Sequence, residues 1–372
     1  MTDKKTAKTR SGPARGKKPA GRRPAVERRR NLALRRQFWW ADLPDEELLD
    51  LRLCDLGLDT THGQIPIALA RLDDELARRG IRFRPHCWLS EDWFSPDGVP
   101  GIAIPFYLAH PCLTRLERRM MHEVEGGNVR WLRRILRHEA GHAIDTAYRL
   151  RRRQRWRELF GPASEPYPVS YVPRPGSRRY VMHLGHWYAQ SHPTEDFAET
   201  FAVWLAPHST WRNDYADWPA LRKLLYVDEL MAEVRDVSPP VRSRKYIEPL
   251  RESRITLRKY YEDKRVYYDT SETDRYDLPL KRVFASRARH PGRPAASTFI
   301  RQVRPQLQRL LIRRSRLHPY LVHNVMRIVI QRTRDLDLCV HHPIRQSKRE
   351  TFRLLERILF DSIRRGRERY AL

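Results

Sequence analysis

The stretch His138-Glu139-Ala140-Gly141-His142 decides both the fold and the chemistry expected of this chain. Residues four apart lie on one face of a helix, so the imidazoles of His138 and His142 can bind a single tetrahedral Zn²⁺ ion. Glu139 can then reach a water molecule at the open position of the metal. Around this stretch, apolar residues recur with the period of a helix: Val129, Leu132, Ile135, Leu136, Ala143, Ile144 and Ala147.

A motif this short also arises by chance, so a third ligand is needed to support the metal site. In one known pattern a glycine and a histidine follow the second histidine, but Asp145 and Tyr148 occupy those positions here, which excludes that pattern. A carboxylate on a second helix is the solution that we favour. The alternative is a third imidazole from the group His183, His186 and His192.

The segment Ser191–Phe201 has the features of such a second helix. Pro193 suits a first helical turn, and the acidic residues after it suit the positive end of a helix. Glu195 and Glu199 are four residues apart and share a face, beside an apolar stripe of Phe197, Phe201 and Leu205. Two stacked carboxylates beside a core stripe favour a metal ligand, although they could instead cap the helix and pair with arginines.

In this order, the residues His138 to Asp145 (HEAGHAID), Tyr188 and Glu195 to Phe201 resemble the gluzincin zinc metallopeptidases. The likeness is to the anthrax lethal factor catalytic domain and to a bacterial family of zinc-binding metallopeptidases, the latter over residues 34–234. It implies that Glu195 is the third zinc ligand and that the phenol of Tyr188 faces the substrate carbonyl. It also implies that the carboxylates of Glu199 and Asp145 orient the zinc-binding histidines by accepting hydrogen bonds from them. The choice of Glu195 over Glu199 depends only on how this segment is aligned with the corresponding segment of lethal factor.

The resemblance implies a zinc-dependent hydrolase that cuts peptide bonds in a protein or peptide substrate. Zinc lowers the pKa of its bound water towards ~7, and Glu139 would take the proton as that water attacks the peptide carbonyl. Zinc and the Tyr188 hydroxyl would stabilise the developing negative charge. The segment Ile102–Phe106 predicts a strand. By analogy with gluzincins it could pair with extended substrate, but an ordinary buried strand fits equally well.

The net charge of +28 is distributed unevenly. Residues 1–30 carry twelve Lys and Arg against two acids, and residues 241–372 carry thirty-three against fourteen. Residues 31–240 are close to neutral, with twenty-eight against twenty-nine. We expect a disordered basic tail at 1–30, a zinc metallopeptidase domain at 31–237 and an Arg-rich helical region at 238–372. The expected fold class is α+β: a mainly helical, zincin-like catalytic domain with a small mixed sheet, followed by the basic helices.

The two basic flanks predict different structures. The tail has too few apolar residues to fold alone, whereas the C-terminal region has apolar residues at helical spacing with arginines between them. Arginine-rich faces can bind nucleic acid or another polyanion. A genome rich in G and C also raises the arginine content, but it would not by itself leave residues 31–240 neutral.

The sequence also bears on location. No signal peptide and no run near the ~20 apolar residues of a membrane span is present. The cysteines are scattered without CxxC spacing, as is typical of reduced thiols in a cytosol: Cys54, Cys87, Cys112 and Cys339. We therefore expect a cytoplasmic protein without a membrane span.

A second hypothesis comes from a different functional class. In it, the chain is a polyanion-binding protein, with nucleic acid as the first candidate, and its zinc site is structural or vestigial. Glu139→Gln separates the two hypotheses, because it should abolish hydrolysis and leave polyanion binding unchanged.

Overall fold

A computed structural model describes residues 38–168, 171, 174, 176–185, 187–267, 276–315, 317 and 319–364. The basic tail predicted over residues 1–30 lies outside them. The described residues before Pro44 belong to a first unit and contain the 3-10 helix Trp39–Asp42. The second unit, Pro44–Leu372, contains the predicted metal site and the Arg-rich region.

The described part of the second unit is mainly helical, with two small pairs of strands. The strands are β1 His86–Ser90, β2 Gly101–Pro105, β3 Ala285–Ser286 and β4 Leu338–Cys339. The helices are α1 Asp45–Leu49, α2 Ile65–Arg78, α3 Pro111–Met121, α4 Val129–Tyr148, α5 Gln154–Phe160, α6 Pro193–Leu205, α7 Trp211–Asp214, α8 Leu221–Val234, α9 Leu257–Tyr267, α10 Asp277–Val283, α11 Ala296–Ser315, α12 Pro319–Asp335 and α13 Ile344–Arg364. This architecture confirms the predicted α+β fold class.

β2 is an interior strand. It pairs in parallel with β1, with Ala103 opposite Trp88, and Ala103 also forms an antiparallel bridge to Phe94. All five residues of β2 are buried. Of the two roles open to Ile102–Phe106, the structure supports the buried strand, because both sides of β2 are occupied at Ala103.

The helices α4 and α6 pack closely against each other. The side chain of Asn128 caps α4 by accepting from the amide of Trp131, and His192 caps α6 in the same way through the amide of Thr194. Every residue of α6 is buried, including its acids. At Gly141 a side-chain Cβ would lie only 2.8 Å from the Cα of Ala198. Glycine at this position is therefore what allows the two backbones to approach so closely.

Residues beyond 240 contribute to two different regions. The carbonyls of Ile247 and Glu248 accept hydrogen bonds from the side chains of Trp88 and Ser90 in β1, at 2.9 and 2.7 Å. Helices α10 to α13, in contrast, enclose a core of their own. The domain boundary that we place at residue 237 remains a prediction.

Two further expectations concern membranes and thiols. Among the described residues, the helices are either too short or too polar to cross a membrane. The four cysteines are free thiols.

Candidate metal centre

Helix α4 brings two imidazoles and one carboxylate to the same buried place. His138 and His142 are one turn apart on the face of α4 that packs on α6, and they expose only 2% and 9% of their surfaces. Glu139 lies beside them and exposes 7%. Ionisable groups buried to this degree need partners, and α6 supplies them for the two imidazoles.

Three potential ligand atoms converge between the two helices. Glu195 Oε2 lies 3.0 Å from His138 Nε2 and 3.2 Å from His142 Nε2, and the two nitrogens are 3.1 Å apart. Among the described residues, His138, His142 and Glu195 are the group that could hold a metal ion.

The spacing of these atoms agrees with a tetrahedral metal. Ligands about 2.05 Å from a tetrahedral zinc ion are separated from one another by about 3.3 Å. The three observed separations of 3.0–3.2 Å fall slightly below this value. The two Nε2 atoms also face the same point, where a cation can accept a lone pair from each neutral imidazole. The residues therefore fit a three-ligand metal site.

The electrostatics of the pocket favour a cation. Burial alone would raise the pKa of Glu195, but the nearby imidazoles hold that pKa well below its ordinary value. Burial alone would lower the pKa of His138, but Glu195 and Glu199 raise it well above its ordinary value. Two carboxylates thus stabilise positive charge at this point, and a bound metal ion would take the place of the proton.

Glu199 holds His138 from the other side. Its Oε1 lies 3.0 Å from His138 Nδ1, while its Oε2 accepts hydrogen bonds from the amides of His183 and Leu184, at 3.2 and 2.8 Å. A carboxylate on Nδ1 fixes the ring orientation and leaves Nε2 to face Glu195. The two glutamates of α6 therefore occupy different sides of one imidazole, and Glu195 is the one at the Nε2 atoms of both histidines.

Asp145 is buried one turn beyond His142, but its hydrogen bonds go elsewhere. It accepts from the backbone amide of Arg151 at 2.7 Å and from Arg151 Nε at 2.6 Å. Within the described residues no hydrogen bond joins it to His142, although its charge acts on that ring. Asp145 thus anchors the turn that follows α4.

Tyr188 lies against the first histidine, in the 3-10 helix Tyr188–Gln190. Its ring centroid is 5.3 Å from that of His138. Burial, followed by the charges of Glu195 and Glu139, raises the pKa of Tyr188 well above its ordinary value. The phenol therefore keeps its proton, and its ring lies beside that of His138.

Sequence reasoning missed two residues that contact the site. Ser95 donates to Glu139 Oε2 at 3.0 Å and lies 3.3 Å from the Glu139 carbonyl. The hydroxyl of Tyr167 donates to Glu195 Oε1 at 2.7 Å. Both belong to connecting segments without periodicity, and no local signal in the sequence points to either of them.

The other histidines near α6 have structural contacts. His183 Nε2 lies 2.9 Å from the carbonyl of Arg134, and His192 stacks on Tyr167 with ring centroids 3.9 Å apart. His186 lies outside the described residues. A site with His183 or His192 as third ligand, which the sequence left open, therefore lacks support.

One comparison with known proteins bears on the site. Residues 109–217 match the model of a family described as "Putative zinc-binding metallo-peptidase". The matched range includes the HEAGH stretch and Glu195, and it supports the predicted relationship to metallopeptidases. No curated protein and no solved structure matches the chain. The gluzincin type and the likeness to lethal factor remain predictions.

Proposed function

We propose that this chain is a zinc-dependent metallopeptidase of the gluzincin type that hydrolyses peptide bonds. The observation that carries the proposal is the convergence of His138 Nε2, His142 Nε2 and Glu195 Oε2 within 3.0–3.2 Å of one another, directly beside Glu139. Three protein ligands with an adjacent acid are typical of catalytic zinc sites, whereas structural sites usually have four protein ligands. The family match over residues 109–217 supports the same conclusion.

Each residue has a proposed role in this chemistry. Bound zinc supplies a Lewis acid and lowers the pKa of water to about 7. Glu139 acts as general base and then returns the proton to the leaving amine, with one carboxylate oxygen oriented by Ser95. The protonated phenol of Tyr188 donates to the oxyanion that forms on the substrate carbonyl.

Two residues keep the ligands in place. Tyr167 holds Glu195 Oε1 by its hydroxyl, so that Oε2 alone faces the two imidazoles. Glu199 holds the ring of His138 through Nδ1. Such supporting hydrogen bonds raise metal affinity because they reduce the freedom that the ligands lose on binding. Asp145 supports the site less directly, through its contacts with Arg151.

Extended substrate would lie along the segment Phe94–Pro96 rather than along β2. Phe94 pairs with Ala103 in β2, and the next residue, Ser95, touches Glu139. This segment is therefore the strand-like backbone beside the general base, where a peptide could add by β-augmentation. We also retain the predicted cytoplasmic location, with which the four free cysteines agree.

Metal analysis combined with one substitution tests the proposal. The purified chain should contain about one zinc per molecule and cleave unfolded casein. Glu139→Gln should keep the metal and lose at least ~100-fold in rate, the scale of general acid–base catalysis. Glu158→Gln, on the exposed surface of α5, is the matched control and should leave both unchanged. A folded protein that binds no metal, or full activity in Glu139→Gln, would refute the proposal.

A further inference from the structure

Helix α13 carries a row of four arginines on its surface. They are spaced four residues apart, and all four are exposed: Arg345, Arg349, Arg353 and Arg357. A helix rises 1.5 Å per residue, so successive members lie about 6 Å apart and the arginine row extends about 18 Å along the axis. Asp361 is the next residue in the same spacing, and the arginine row ends before it.

No described ion pair involves the arginine row. The two glutamates of α13 have other contacts: Glu356 pairs with Arg314 of α11 at 2.6 Å, and Glu350 accepts from Gln346 at 2.8 Å. Like charges four residues apart destabilise a helix. A row of four that its own carboxylates do not neutralise therefore indicates a partner that supplies negative charge.

The surrounding surface has the same sign. Residues 276–361 contain nineteen Lys and Arg against six acids. Helix α11, which packs beside α13, adds three exposed arginines without an ion pair among the described residues: Arg301, Arg309 and Arg313. The positive potential therefore extends beyond one helix, which favours a large polyanion over a single small anion.

The opposite face of α13 argues against insertion of this helix into a membrane interface. Its apolar residues are buried in the core formed by α10 to α13, among them Leu354, Leu355, Ile358 and Leu359. A helix that binds a bilayer interface needs its apolar face free to enter the lipid. The helix is instead held in place by that core, with its charged face outward.

We propose that the arginine row of α13 binds the phosphate backbone of double-stranded nucleic acid without reading its base sequence. The planar guanidinium group binds phosphate oxygens in pairs, and a duplex presents closely and regularly spaced phosphates. Of the described aromatic residues of α13 only Phe360 is exposed, at the end of the arginine row, so the successive rings on which the bases of a single strand would stack are missing there, which favours a duplex. This activity is independent of the proposed peptidase chemistry and would bring the enzyme to nucleic-acid-bound substrates.

Fluorescence anisotropy with the full-length chain tests this. Labelled DNA and RNA duplexes of one sequence are titrated at several salt concentrations, with the wild type and with a variant carrying Arg345→Gln, Arg349→Gln, Arg353→Gln and Arg357→Gln. Each lost phosphate contact reduces the salt slope by about 0.9 for DNA, so the variant's slope should fall by about 3.6 and its affinity by at least ~100-fold. The duplex that binds more tightly identifies the source of the phosphates.

A second variant removes the same charge from the catalytic region. It replaces four exposed arginines that have carboxylate partners with glutamine: Arg82, Arg119, Arg155 and Arg212. This control should keep the wild-type affinity and slope. An equal loss in the control would overturn the proposal, because total charge would then explain binding. Absence of salt-dependent binding to both duplexes, or equal competition by polyglutamate, would overturn it as well.

Discussion

The helix pair α4–α6 and the helix α13 both carry charged residues at helical spacing. The two regions differ in whether those charges are buried and paired or exposed and unpaired among the described residues. In the pair the charges are buried and matched: Glu199 with His138 and two amides, Asp145 with Arg151, and Asp196 with Lys223. In α13 four arginines are exposed, and no described ion pair involves them. A buried charge must be paired, so its partners define a rigid geometry. An exposed charge carries no such requirement and remains available to another molecule.

The largest effects on zinc binding should come from removing the carboxylate of Glu195 or of Glu199 in α6. Glu195→Ala should abolish stoichiometric zinc binding, because it removes one of three ligand atoms. Glu199→Ala should weaken binding about 10–100-fold, the usual effect of losing a group that orients a ligand. Competition with a zinc chelator measures both, and Glu158→Ala serves as the surface control. Loss of metal in Glu199→Ala with retention in Glu195→Ala would exchange the two roles.

Gly141→Ala should separate α4 from α6. The new Cβ would lie 2.8 Å from the Cα of Ala198, and overpacking of this kind costs about 1–3 kcal/mol. Alanine regains up to about 1 kcal/mol of helix propensity, so we expect a smaller net loss of stability together with weaker zinc binding. Urea unfolding of the metal-free protein measures the first effect. At Gly185 no atom of the described residues lies within 4 Å of an added Cβ, so Gly185→Ala should change neither property.

His323 should give the smallest effect, at a contact between α12 and the end of α3. Its ring stacks on His122 with centroids 3.8 Å apart, and Arg304 lies 2.7 Å from its Nδ1. Burial, followed by the positive charges of His122, Arg304 and Arg327, lowers the pKa of His323 to about 4. In the unfolded chain a histidine has a pKa of about 6.5. Between pH 6.5 and pH 4 the unfolded chain therefore binds a proton at His323 that the folded chain does not bind. Stability should therefore fall as the pH decreases from 6.5 to 4.

His323→Gln should make that decrease shallower, because the residue that takes up the proton on unfolding is gone. Melting temperatures of both proteins between pH 7 and pH 4.5 measure the difference. His208→Gln, at an exposed turn, is the control and should follow the wild type. Parallel curves for His323→Gln and the wild type would contradict the assignment.

Local patterns predicted the helices well, and connecting segments poorly. The apolar period around HEAGH and the Pro193 start predicted α4 and α6, because both depend on residues within a few positions of each other. Ser95 and Tyr167 could not be found in this way. Ser95 lies 44 residues before its partner Glu139 and Tyr167 lies 28 residues before Glu195, and neither belongs to a periodic pattern in the sequence. The same holds for Ile247, whose carbonyl contacts β1 from 159 residues away.

By itself, the sequence determined which donor atoms can share a helix face, since spacing along a helix is a local property of the backbone. It placed His138 above His142, and it placed Glu195 and Glu199 together on one face of a second helix. It could not decide which acid faces which nitrogen, because both satisfy the same spacing. Only the packing of α6 on α4, made close by Gly141, puts Glu195 at the two Nε2 atoms and Glu199 at Nδ1 of His138.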